Sequence, residues 1–229
     1  MIKENFNHLL DFFLPRICIN CNKKITDCEK VICSDCFNQL KKATQERINL
    51  EYERKFRKEN IVIDFQSAFI FLDETPIQKI IHELKYNGKF HIGKYLGEKI
   101  SDILKEKLST WNADLIVAIP LHSLRKAERG FNQAEIIAEE IGKIIGINYS
   151  KNILKRTRFT ETQTHLNLLE RKENMINAFK LKNRKIINDK NIILVDDVIT
   201  TGATVSECAR ILKNNGAKNI YALSVAIAD

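Results

Sequence analysis

The sequence predicts an α/β fold, a mainly parallel sheet covered by helices, with a small cysteine-rich module in front of it. Three observations predict this. Short runs such as Ile192-Ile193-Leu194-Val195 are apolar throughout instead of alternating, the pattern of strands buried on both faces. These runs alternate with stretches whose apolar residues recur at helical spacing. Five of the six cysteines, finally, crowd into residues 18–36.

In chain order, Phe6, Leu9, Leu10, Phe13 and Leu14 form an amphipathic stripe that Pro15 ends. Two Cys-x-x-Cys pairs follow, Cys18 with Cys21 and Cys33 with Cys36, eleven residues apart. Each pair can form a knuckle that aims two thiolates at one ion, and two knuckles complete a tetrahedral zinc site. Such a site has no open position, so its Zn²⁺ would be structural. A redox pair is the alternative, and exchange of Cys28 for one ligand is another. The module is too small for a core of its own and is expected to dock through the Phe6–Leu14 stripe.

Residues 37–60 are polar, charged and free of Gly and Pro, and read as a helical connector ending near Asn60. The organisation expected is a zinc module over 1–45, a connector over 46–60 and the α/β domain over 61–229. Within that domain Ser67 to Leu72 reads as a strand. Thr75 and Pro76 start a helix buried through Ile77, Ile80, Ile81 and Leu84. A second helix spans Ile92 to Leu108. Asp114 to Ile119 is a strand, followed by a helix through Ala134, Ile137, Ala138 and Ile141. Ile192 to Val195 precedes a helix with Val205, Cys208, Ile211 and Leu212 inward, and Ile220 to Ala226 is the last strand. Gly88 to Lys94 matches the start of a nucleotide P-loop, but a helix precedes it and Tyr95 stands where Ser or Thr should meet Mg²⁺.

The 229 residues carry a net charge of +8, and residues 151–185 hold ten Lys/Arg against three Asp/Glu. A local basic block suits phosphate-rich partners, or is a solvated loop. Three Pro and eight Gly exclude collagen-like and low-complexity architectures. No apolar run approaches the ~18 residues of a membrane span. Glu4 and Asp11 argue against a secretory leader, so no membrane insertion and a cytoplasmic location are expected.

Ligands on such a sheet bind beyond the carboxyl ends of its strands. After Val195 comes Asp196-Asp197-Val198-Ile199-Thr200-Thr201-Gly202-Ala203-Thr204, then a helix. A hydroxyl-rich turn with a Gly at a helix N-terminus is an anion site suited to a phosphate monoester. The two acids cannot bind that phosphate, but suit neighbouring hydroxyls and a hydrated Mg²⁺. A sugar phosphate with a free diol satisfies both halves.

That loop resembles the phosphoribosyl-pyrophosphate loop of type I phosphoribosyltransferases. The whole chain resembles the ComF family of competence proteins. The four-Cys N-terminus, His82-Glu83-Leu84-Lys85-Tyr86-Asn87-Gly88, Pro120-Leu121-His122, Arg129-Gly130-Phe131-Asn132-Gln133 and Thr162-Gln163 with Arg171 and Asn174 also carry it. The resemblance implies that Asp196 and Asp197 hold the ribose hydroxyls and that Val198 to Thr204 hold the 5′-phosphate. Leu121 and His122 would contact pyrophosphate, with Arg125 and Arg129 as further phosphate ligands, and Lys155 to Arg171 would be a flap. The expected chemistry is displacement of pyrophosphate by a nitrogen nucleophile, helped by Mg²⁺. The partners implied are phosphoribosyl pyrophosphate or a related ribose phosphate, single-stranded DNA and the DNA-uptake machinery; the resemblance also allows a homodimer. Alternatives are a nucleobase phosphoribosyltransferase of nucleotide salvage and a non-catalytic sensor of the sugar donor. Phe131 or Phe159 could stack on a base or sit in the core. Lys85, Tyr86 and Lys89 form a basic-aromatic cluster that touches nucleic acid or simply solvates a helix end.

Overall fold

Five parallel strands make the central sheet, and its helices cover both faces. The computed structural model describes residues 15–26, 28–158 and 177–228. The expected stripe at Phe6–Leu14, Phe159, and the Thr162-Gln163, Arg171 and Asn174 signals lie outside them, as does most of the expected flap.

Cysteine knuckles open the described chain and lead into α1 (Ser34–Asn38). Residues 41–43 then run antiparallel beside β1, with Ala43 N–H on the Ala68 carbonyl at 3.0 Å and Ile70 N–H on that of Lys41 at 2.8 Å. Thr44 caps α2 (Gln45–Lys55) by accepting from Arg47 N–H. Despite its charge this helix is not solvated all round: Ile48 and the following Phe56 are buried against Phe65 of the sheet. β1 (Val62–Ile70) starts five residues before the expected Ser67. The polar Asp64 and Gln66 hid it, yet Asp64 accepts from the buried Trp111 indole at 2.9 Å.

Thr75 precedes α3 (Pro76–Tyr86) with Pro76 at its first position, though the Thr75 hydroxyl donates backward to the Leu72 carbonyl instead of capping forward. α4 (Phe90–Thr110) begins inside the P-loop look-alike. Gly93 and Gly97 serve helix packing there: a Cβ on either would lie 2.8 Å from a side chain of α6 (Gln133–Ile145). β2 (Leu115–Ala118), a short α5 (Ser123–Arg129) that the sequence did not signal, and β3 (Asn148–Tyr149) at the sheet edge complete this half.

Two short strands, β4 (Leu154–Arg156) and β5 (Phe179–Leu181), pair antiparallel outside the main sheet. β6 (Asn191–Ile199), α7 (Ala203–Asn214) and β7 (Asn219–Ile227) close the fold, giving the strand order β1-β7-β6-β2-β3. Since successive side chains on a strand point to opposite faces, Ile193 and Val195 enter a core shared with α3, α4 and α6. Ile192 and Leu194 enter the one shared with α2 and α7.

The cysteine module packs into the first of these cores through Ile25, Val31, Ile32 and Leu40, all at most 6% exposed. Lys79 Nζ also donates to the Asn20 carbonyl at 2.8 Å. Whatever the Phe6–Leu14 stripe contributes, a docking surface exists without it.

Candidate phosphate and metal sites

β6 runs four residues past the expected Val195, so both acids lie within the strand and not in the turn after it. Consecutive strand positions send their carboxylates to opposite faces. Asp197, 8% exposed, reaches the α3 side, where Lys85 Nζ lies 2.9 Å from its Oδ2. Its Oδ1 accepts from Val198 N–H at 2.7 Å. Lys85, expected to touch nucleic acid or to solvate a helix end, instead pairs with Asp197. The last turn of α3 carries it across to the strand end, a pairing no local pattern signals.

Asp196 lies on the other side and accepts Asp197 N–H at 2.9 Å. Burial first, and repulsion from Asp197 second, raise its pKa to about 7; Lys85 and Arg156 pull the other way. Arg156 of β4 stands on this face with its guanidinium over the Phe179 ring at 5.4 Å. Burial disfavours the charge of Arg156 most and Arg125 opposes it, while Asp196 favours it. Across the sheet Asp196 is in register with Ser224 of β7, whose buried hydroxyl has no hydrogen-bond partner among the described residues.

The turn Thr200-Thr201-Gly202 follows, and α7 starts at Ala203. Gly202 has φ +77°, the left-handed region that favours glycine. Thr201 Oγ1 accepts from Ala203 N–H at 3.3 Å. Thr200 is exposed, and Thr204 sits half-buried in the first turn of α7. The positive end of a twelve-residue helix therefore lies at this turn.

The loop after β2 lies alongside, since Ile119 N–H bonds the Val195 carbonyl at 2.9 Å. Leu121 is half-buried there. His122 Nδ1 accepts from Leu124 N–H at 3.3 Å, capping α5. Arg129 lies over the Tyr86 ring at 5.3 Å and donates to Gln133 Oε1 at 3.1 Å. Asn132 holds the loop by donating to the Ile119 carbonyl at 2.9 Å. Phe131 packs on the core. The structure thus keeps Asp196, Asp197 and the turn together and adds Lys85 and Arg156 beside the acids, while Arg129 is held on Tyr86 and Gln133.

In the cysteine module, the Sγ atoms of Cys18, Cys21, Cys33 and Cys36 all lie within 4.8 Å of one another, while Cys28 is exposed and outside the cluster. Burial opposes ionisation of Cys18, but N–H groups of Cys21, Cys33 and Asn20 aimed at its sulfur outweigh it and bring the pKa to about 6. Burial pushes Cys36 up to about 12. Four converging sulfurs, with N–H donors on Cys18 and the Asn20 amide donating to Cys36 at 3.3 Å, fit a tetrahedral thiophilic ion.

Compared with known proteins, residues 88–228 match the model of the phosphoribosyl transferase domain. The "DNA utilization protein YhgH" of Salmonella typhi is 34% identical over 148 residues, 63% of this chain and 64% of that protein. The matched stretch thus spans under two thirds of that relative. "Competence protein F" of Haemophilus influenzae is 28% identical over 231 residues, 96% of this chain and 100% of that protein. Among solved structures, the purine phosphoribosyltransferase from Pyrococcus horikoshii Ot3 is 20% identical, with a TM-score of 0.38, over 58% of this chain and 74% of that one. Among the described residues no helix is long and apolar enough to cross a membrane.

Proposed function

This chain belongs to the phosphoribosyl transferase domain family, and from that premise we propose that the end of β6 and the turn before α7 bind phosphoribosyl pyrophosphate or a related ribose phosphate. The observation that carries the reading is the division of labour along nine residues: two carboxylates at the strand end, then a glycine-bearing turn at a helix N-terminus. Asp196 and Asp197 take the ribose hydroxyls as charge-assisted acceptors. The turn and α7 take the 5′-phosphate. Lys85, Arg125 and Arg156 supply positive charge on either face for the diphosphate, the group that gathers charge as its bond to the sugar breaks.

Two adjacent carboxylates at the strand end, with burial and the charge of Asp197 opposing ionisation of Asp196, fit a Mg²⁺ carried in with the donor. Bound Mg²⁺ supplies charge neutralisation on the diphosphate. Every other task falls to the side chains named above. Zn²⁺ in the four-Cys cluster is structural, because four thiolates fill its coordination.

The protein as a whole acts, in this proposal, in competence and DNA uptake, with single-stranded DNA as partner and a cytoplasmic location. Two features support this: the names carried by its relatives and the basic excess in residues 151–185. The test is a calorimetric titration with phosphoribosyl pyrophosphate, with and without Mg²⁺. Saturable, Mg²⁺-dependent binding is expected, weakened more than about tenfold in the Asp196→Asn/Asp197→Asn variant, a loss of over ~1.4 kcal/mol. No binding, or equal binding by the variant, contradicts the proposal.

A further inference from the structure

Lys55 ends α2 and is 7% exposed. Burial depresses its pKa, against the pull of Glu51. Its ammonium lies 2.9 Å from Glu51 Oε2, donates to the Ala228 carbonyl at 3.1 Å, and donates to the carbonyl of Thr200. An ammonium has three donors, and here each has a partner. Glu51, 3% exposed, is held in turn by Arg47 at 2.9 Å and Arg54 at 2.7 Å. A Cβ built on Gly202 would lie 3.0 Å from Phe56 Cε1 and 3.1 Å from Lys55 Cβ. The end of α2 is therefore the wall behind the turn. It also lies outside residues 88–228, the stretch that matches the family model.

In a trans peptide the carbonyl of one residue and the N–H of the next point in opposite directions. A Thr200 carbonyl held inward on Lys55 therefore turns the Thr201 N–H outward, to the rim where an anion meets the N-terminus of α7. We propose that Lys55 is a positioning residue for the phosphate-binding turn, acting through the Thr200–Thr201 peptide and not by touching the ligand. The inference rests on the ribose-phosphate reading given above. It assigns the preorganisation of that turn to a segment outside the matched domain. Its charge is neutralised by Glu51 and its donors are used, so Lys55 adds little to the rim's own field.

The full-length protein is titrated with ribose 5-phosphate by calorimetry, and the Thr201 amide is followed in ¹H–¹⁵N spectra. The wild-type Thr201 amide is expected to move downfield on binding. Lys55→Met is expected to bind at least about tenfold more weakly, with a native far-UV spectrum and a Thr201 amide that no longer moves. Lys55→Arg, which can still donate to a carbonyl, is expected to recover part of the affinity. If Lys55→Met does not fold, Lys55→Gln decides, with an expected loss of at least about threefold. Equal affinity in wild type and the folded variant overturns the inference, and so does a wild-type Thr201 amide that stays put while the ligand binds. No ribose 5-phosphate binding by the wild type overturns the underlying reading instead.

Discussion

Asp196 and Asp197 are neighbours in sequence, yet each faces its own side of the sheet and its own cation, Lys85 for Asp197 and Arg156 for Asp196. Their titration follows from that arrangement. Asp197→Asn removes the repulsion and frees Lys85, so the Asp196 pKa should fall from about 7; Lys85→Met should raise it. Carboxyl ¹³C shifts followed against pH check both directions, and movement the opposite way in either variant contradicts the assignment. Stability follows with a definite sign. Folding raises the Asp196 pKa above its unfolded value, so the native state binds the proton more tightly. That stabilising difference is lost as pH rises from the ordinary carboxylate range toward 7. Asp196→Asn should therefore stabilise the protein at pH 8, by on the order of 1–3 kcal/mol, and much less at pH 4. Urea denaturation at the two pH values measures this.

At the scale of elements, the turn between β6 and α7 is shaped by a left-handed glycine pressed against α2. Gly202→Ala places a methyl in the αL region and against Phe56, and should cost about 1–3 kcal/mol in urea denaturation. An unchanged midpoint contradicts the tight fit. The strand β6 shows what local pattern conveys. Four β-branched or apolar residues announce it, but the next four include two acids, a composition depleted in strands, so its true end at Ile199 was hidden. The four-cysteine cluster is legible because the spacing of the two pairs brings the sulfurs together, and the glycine-bearing turn is legible from its own residue types. Lys85, Lys55 and Arg156 were not legible in these roles. Each meets its partner only through packing of distant elements, α3 on β6, α2 on the turn, and Arg156 of β4 near Asp196 of β6. α2 misled for a related reason: its surface is charged, but Glu51 and Lys55 are buried as a pair.

For the whole molecule, the cysteine module and the α/β domain share one core, since Ile25, Val31, Ile32 and Leu40 pack with the residues of α3 and α4. Loss of metal should therefore reach beyond the module. Chelation, or Cys18→Ser, should lower the midpoint of thermal unfolding by several degrees and release one Zn²⁺ per chain, read by a chromogenic chelator. A midpoint unchanged after full release contradicts a structural role. Single-stranded DNA should bind with an affinity that falls steeply as salt rises; no binding at low salt removes the DNA proposal but leaves the sugar-phosphate site standing. That site is the centre of the account, and a crystal structure of the protein grown with phosphoribosyl pyrophosphate and Mg²⁺ tests it most directly. The account predicts the 5′-phosphate at the N-terminus of α7, within hydrogen-bond distance of the Thr201 N–H, and the ribose hydroxyls on Asp196 and Asp197. A turn left empty at saturating ligand, with both acids still on their own partners, would contradict it.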